Sequence, residues 1–193
     1  MKENQKDTLE HSEKKCVTVI KKICMLGDPA VGKTSLVSRY VYSMFDDNYL
    51  TTIGAKVSKK SILIKHPRYD FDVDLKLMVW DIAGQQTFDW VKPLYFLNSA
   101  GAPIICDLTN KKSFESLEKW INALFKANGK IPIVFIANKA DCKFWEFDPV
   151  ELEEFAKKYN SPFFVTSAKF GDNVEEAFNC LSKLVVEKIE KKI

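Results

Sequence analysis

The sequence predicts an α/β domain built on a mainly parallel sheet, and three observations lead there. Short apolar runs rich in β-branched residues alternate with helix-period segments from residue 17 to the carboxyl end. Two of these runs flank a turn-like His66-Pro67-Arg68-Tyr69-Asp70, which suits a hairpin and hence one antiparallel edge strand. The first run closes on a glycine-containing loop that leads directly into a helical pattern.

Taken in order, the first strand is expected over residues 17–26 and the helix after it over 33–43. The hairpin arms are 57–65 and 71–80. In the second arm Phe71, Val73, Leu75, Leu77 and Val79 alternate with Asp72, Asp74 and Lys76, so one face is buried and the other is wet near the turn. Runs 103–106, 131–137 and 162–166 are too short for helices and read as buried strands. Phe114, Leu117, Ile121 and Leu124 mark one apolar helical stripe; Val174, Ala177, Phe178, Leu181, Leu184 and Val185 mark another. Asp148-Pro149-Val150-Glu151 carries a cap, a first-turn proline and a reciprocal acid, and the stretch from Asp172 to Glu175 repeats the capping-box spacing.

A length of 193 residues suits one ordinary domain, expected over 16–193 behind a polar leader, 1–15, that reads as disordered. The leader lacks the apolar core of a secretory signal, and no run is apolar for long enough to span a bilayer, so a cytoplasmic protein is expected. The formal charge of +3 is small, and lysines are interleaved with acids, which makes nucleic acid a poor partner. Cys16, Cys24, Cys106, Cys142 and Cys180 are scattered without Cys-x-x-Cys spacing; free thiols are expected, with neither a disulfide framework nor a zinc site.

Gly27-Asp28-Pro29-Ala30-Val31-Gly32-Lys33-Thr34 has the spacing Gly, four residues, Gly-Lys-Ser/Thr, and it lies between a predicted strand and a predicted helix. Glycines let the backbone fold tightly so that successive N–H groups face phosphate oxygens, while the helix amino terminus adds partial positive charge. Candidate contacts are Ala30, Val31, Gly32, Lys33, Thr34 and Ser35, with Lys33 neutralising the β- and γ-phosphates and the Thr34 hydroxyl as a magnesium ligand. The plainer alternative is a glycine turn capping a helix beside a solvated lysine.

The loop alone specifies a nucleoside triphosphate; later residues choose the base. Asn138-Lys139-Ala140-Asp141 follows directly on a buried run, at the carboxyl end of a strand, where open α/β sheets bind ligands. A carboxylate there accepts from the N1–H and exocyclic amine of guanine, whereas adenine offers no such pair and leaves Asp141 unsatisfied. Ser167-Ala168-Lys169 closes the next strand and offers a backbone N–H to the guanine carbonyl oxygen.

With these motifs in place, residues 21–189 resemble a Ras-superfamily small GTPase, nearest in character to the Rab branch. Trp80-Asp81-Ile82-Ala83-Gly84-Gln85 is similar to that family's Asp-x-x-Gly-Gln segment, and Thr52-Ile53-Gly54 to its first switch. Cys106-Asp107-Leu108-Thr109, with Ser113-Phe114-Glu115-Ser116-Leu117 and Trp120-Ile121, is similar to the stretch after its fourth strand. The resemblance implies a P-loop NTPase fold with six strands, one of them an antiparallel edge, and helices on both faces. It further implies that Thr52 and Asp81 join Thr34 around Mg²⁺, Asp81 through water, and that Gly84 donates its N–H to the γ-phosphate. The same resemblance implies that Phe45 covers the guanine edge-on, that the Lys139 stem lies along its other face, and that Gln85 orients the attacking water. On that resemblance, loss of the γ-phosphate is expected to free two loops, roughly 45–54 and 83–95, to be read by effectors, an exchange factor and a GTPase-activating protein. A monomeric GTP/GDP switch in signalling and vesicle trafficking is the implied role.

Arg39 and Arg68 are the chain's arginines and both lie outside the switch segments, so slow intrinsic turnover and a partner-supplied cation are expected. Pro29, Ala55-Lys56-Val57 and Gln86 depart from common patterns of the resembled family. No terminal cysteine box or Gly after Met1 supports a lipid anchor. Two rival readings remain: a scaffold that holds nucleotide without hydrolysing it, which Thr52 and Gln85 disfavour, and a small-molecule kinase, which Asp141 disfavours.

Overall fold

β1 (Cys16–Met25) and β3 (Asp72–Ile82) form the centre of the sheet, paired in parallel from Cys16 opposite Asp72 to Met25 opposite Asp81. The computed structural model describes residues 15–46, 52, 54–82 and 92–189, so the leader and most of both predicted switch loops lie outside the described residues. β2 (Ala55–Lys65) runs antiparallel to β3, with Ala55 opposite Ile82 and Lys65 opposite Asp72. β4 (Ala102–Asp107), β5 (Ile133–Asn138) and β6 (Phe163–Val165) pair in parallel. Backbone bonds join the two halves along β1: Ala100 N–H to Lys22 O at 2.8 Å, Leu26 N–H to Pro103 O at 3.1 Å and Ile105 N–H to Leu26 O at 2.8 Å. The order is therefore β2-β3-β1-β4-β5-β6, with the antiparallel strand at one edge as the sequence predicts.

Side-chain alternation along each strand supplies both faces. Ile23 and Met25 enter one core with Val73, Leu75, Leu77, Val79, Val134 and Ile136, covered by α1 (Lys33–Tyr42) and α6 (Val174–Glu187). Cys24 and Leu26 enter the other with Ile104, Phe135 and Ala137, covered by α4 (Leu117–Asn128) and α5 (Pro149–Lys158). Two short helices, α2 (Lys92–Phe96) and α3 (Lys111–Glu115), precede β4 and α4 respectively. The half-exposed face of β3, carrying Asp72, Asp74 and Lys76, is the wet face expected.

Strand ends differ from the sequence reading by one to a few residues, because pairing rather than apolar content decides where a strand stops. Two other expectations fail. The stripe from Phe114 to Leu124 is not one helix: Ser116 separates α3 from α4, and Phe114 stacks on Phe147 with centroids 4.9 Å apart. No capping box forms at Asp172, since the cap is Asn173, in the left-handed region at φ 55°, whose Nδ2 donates to Val165 O at 2.8 Å. The box at Asp148 does form, with Val150 N–H donating to Asp148 Oδ1 at 2.9 Å and Asp148 N–H to Glu151 Oε1 at 3.3 Å. All five cysteines are free.

Candidate functional site

The loop from Gly27 to Gly32 leaves β1 at its carboxyl end and turns directly into α1. Two glycines make that path possible. A Cβ on Gly27 would lie 2.3 Å from Ile105 O, and one on Gly32, whose φ is +96°, would lie 2.3 Å from Asn138 Nδ2. Ala30 also takes a positive φ, 64°, without being glycine. Lys33 is buried, and its ammonium donates to Gly27 O at 2.8 Å and Asp28 O at 2.7 Å, so the charge is held over the loop.

The first turn of α1 places Thr34 beside Asp81 at the end of β3 and Thr52 from the segment before β2. Thr34 Oγ1 donates to Asp81 Oδ2 at 2.5 Å and lies 2.8 Å from Thr52 Oγ1. Asp81 is 1% exposed, and its Oδ1 has no hydrogen-bond partner among the described residues. Burial raises this carboxyl, while the Thr34 hydrogen bond and then the charges of Lys33 and Lys56 pull it down. An orphaned buried oxygen beside two hydroxyls is a donor set that suits a hard, oxygen-seeking cation such as Mg²⁺. No group of three or more His, Cys, Asp or Glu gathers among the described residues, so such an ion would also need phosphate or water oxygens.

Beside this cluster opens a cavity of about 310 Å³, within the range of small-ligand sites. Ala30, Gly32 and Ser35 line it from the glycine loop and α1, Phe45 and Asp46 from the segment after α1, and Asn138, Lys139, Asp141, Ala168 and Lys169 from the ends of β5 and β6. Asn138 is 1% exposed and ties three segments together. Its Nδ2 donates to Val31 O at 3.0 Å, and its Oδ1 accepts from the Thr166 hydroxyl at 3.1 Å and Ala168 N–H at 3.2 Å. Lys139, at φ 68°, reaches Asp107 Oδ2 at 2.6 Å, which fixes its stem. Asp141 Oδ1 accepts the Ser167 hydroxyl at 2.7 Å, leaving Oδ2 without a hydrogen bond among the described residues.

Of the residues that sequence reasoning proposed, Ala30, Gly32, Ser35, Phe45, Asn138, Lys139, Asp141, Ala168 and Lys169 line this cavity, while Lys33 lies over the glycine loop and Thr34, Thr52 and Asp81 meet in the hydroxyl–carboxylate cluster beside it. Val31 and Ser167 stand behind it, acting through Asn138 and Asp141. Gly84 and Gln85 lie outside the described residues. Sequence reasoning missed Asp46 and the role of Asp107. The latter carried a signal, since it ends a buried strand next in order to the one that bears Asn138.

A glycine loop between a parallel strand and a helix, with a cavity at the neighbouring strand ends, defines a P-loop nucleotide-binding domain. Residues 22–187 match the model of the Ras family. The chain is 33% identical over 172 residues to Ras-related protein SEC4 of Saccharomyces cerevisiae, covering 89% of this chain and 77% of that one. It is 35% identical over 167 residues to Ras-related protein Rab-31 of Rattus norvegicus, covering 85% and 82%. Identity to Ras-related protein Rab-2B of Dictyostelium discoideum is 37% over 171 residues, covering 88% and 82%. The chain belongs to the Ras family and is Rab-like: a small GTPase that binds guanine nucleotide as a switch and hydrolyses GTP.

Proposed function

We propose that Asp141 reads the guanine edge, that Lys33 and the amides of the glycine loop hold the phosphates, and that Thr34, Thr52 and Asp81 hold Mg²⁺. The observation that carries this reading is Asp141 Oδ2, without a hydrogen bond among the described residues, in a cavity that Gly32 and Ser35 of the glycine loop and α1 also line. A carboxylate with one oxygen occupied by Ser167 keeps its orientation and offers the other to a donor pair. The Lys139 stem and Phe45 supply apolar walls for a flat ring. When bound, Mg²⁺ neutralises phosphate charge; the chain's own part is to place two hydroxyls and a buried carboxylate where that ion sits.

Gln85 orients the attacking water, and Gly84 donates to the γ-phosphate. Both arginines are engaged elsewhere, Arg39 with Ala168 O and Arg68 with Glu187 Oε1, which favours slow intrinsic hydrolysis and a cation supplied by an activating partner. Effectors and an exchange factor read the segments around residues 45–54 and 83–95. A monomer that works from the cytoplasm in vesicle trafficking, meeting membranes through partners, is the role that Rab-like membership supports; no described helix is long and apolar enough to cross a membrane.

Bound nucleotide in the purified protein, followed by single-turnover phosphate release, tests the reading. GDP or GTP should co-purify, turnover should take many minutes or longer, and Gln85→Leu should slow it further. Asp141→Asn should lose GTP and gain xanthosine triphosphate, because a carboxamide donates where the carboxylate accepted. Equal affinity of the wild type for ATP and GTP would overturn the assignment of Asp141.

A further inference from the structure

Arg39 stands in the last turn of α1, yet its guanidinium serves another loop. Nε donates to Ala168 O at 2.9 Å, and Nη2 donates to Lys169 O. The end of α1 does not need it, because Ser43 N–H already reaches Arg39 O at 3.0 Å and Met44 N–H reaches Ser38 O at 3.3 Å.

The Lys169 carbonyl shares its peptide with Phe170 N–H, which donates to Ser167 Oγ at 3.0 Å. With that oxygen receiving a donor, the single Ser167 hydroxyl proton is directed to Asp141 Oδ1 at 2.7 Å. A chain of aligned dipoles thus begins at a fixed cation and ends at the carboxylate. Charge-assisted bonds are stronger than neutral ones, and each polarised member strengthens the next. The two carbonyls lie on successive residues, a spacing that the planar fork of arginine engages and a lysine ammonium does not.

We propose that Arg39 is a positioning residue for base recognition, which acts through the Lys169–Phe170 peptide and Ser167 to hold Asp141 in its guanine-reading orientation. The inference rests on the role given to Asp141 above. It also ties base recognition to the helix that carries Lys33 and Thr34, so a loosened base loop is felt by the same element that holds the phosphates.

The test is release of fluorescently labelled GDP and of labelled inosine diphosphate, whose base lacks the exocyclic amine, from the full chain. Arg39→Met should speed GDP release about tenfold, the effect expected for losing charge-assisted bonds. It should speed inosine diphosphate release less, since that ligand makes one bond fewer to Asp141. Ser167→Ala should act alike, and the double variant should be no faster than Ser167→Ala alone, the sign of a shared route. Arg39→Lys should fall between wild type and Arg39→Met, and it carries the test if circular dichroism shows that the methionine variant does not fold. Equal acceleration of both ligands, additive effects in the double variant, or unchanged release would overturn the inference. Asp141→Asn that retained GDP as tightly as wild type would instead overturn the assignment of Asp141 itself.

Discussion

The indole Nε1 of Trp120 donates to Asp28 Oδ1 at 2.8 Å, so the buried face of α4 holds a carboxylate of the phosphate loop 92 residues away in sequence. Trp120→Phe keeps a ring in the core and removes this donor. The loss should cost about 1–3 kcal/mol, as for a hydrogen bond to a charged group, and should speed nucleotide release. Urea denaturation and labelled-GDP release measure the two effects, and an unchanged midpoint would show that Asp28 finds another partner.

Gly32→Ala should abolish nucleotide binding. Its Cβ would meet Asn138 Nδ2 at 2.3 Å from a φ of +96°, so the substitution combines left-handed strain of about 1–2 kcal/mol with displacement of the amide that braces the loop. Calorimetric titration with GDP reads the loss directly. Binding within threefold of wild type would show that Asn138 can retreat.

Tyr40→Phe should stabilise the protein. The Tyr40 ring stacks on Phe178 with centroids 4.1 Å apart, while its hydroxyl is buried without a hydrogen-bond partner among the described residues. Burial pushes the phenol up to about 12, and the Ser182 hydroxyl pulls it down without closing a well-formed bond, since Ser182 Oγ donates to Phe178 O at 2.8 Å. Removing the unpaired hydroxyl should add up to about 1 kcal/mol and raise the melting temperature by about 2–4 °C. A fall in melting temperature would mean that the hydroxyl is satisfied in solution.

Asp148→Ala should cost about 1 kcal/mol through loss of the helix cap, whereas Arg68→Ala should change stability by less than about 1 kcal/mol, because its ion pair with Glu187 is largely solvent-exposed. Chemical denaturation of the two variants side by side checks the ranking; equal losses would contradict it.

The succession of strands and helices along the chain and the antiparallel edge were legible because alternation along β3 and the turn residues after Lys65 are local signals, whereas the spatial order of the strands was not. Most of the candidate site was legible for a different reason, in that strand ends in a parallel sheet gather wherever they fall in sequence. What stayed hidden depends on partners that only folding brings together. Ser116 breaks a helix whose apolar spacing runs straight through it, because the spacing of apolar residues carries no record of where hydrogen bonding is interrupted. Asp172 had the right neighbour for a capping box, but Asn173 took the cap while Asp172 O was drawn to Ser167 N–H at 3.1 Å. Nothing in the residue types around Arg39 or Trp120 points to Ala168 or Asp28.

The join along β1 has a consequence for the life of the chain. The glycine loop hangs from one half of the sheet and Asn138, Asp141 and Lys169 from the other, so any guest in the cavity is a clasp across the join. Ligand affinity and cohesion then become one quantity, since whatever binds only the folded form adds its binding energy to folding. A chain stripped of its guest keeps the two cores and bonds such as Asn138 to Val31 across the join, but loses that added cohesion, so nucleotide depletion should lower its resistance to unfolding.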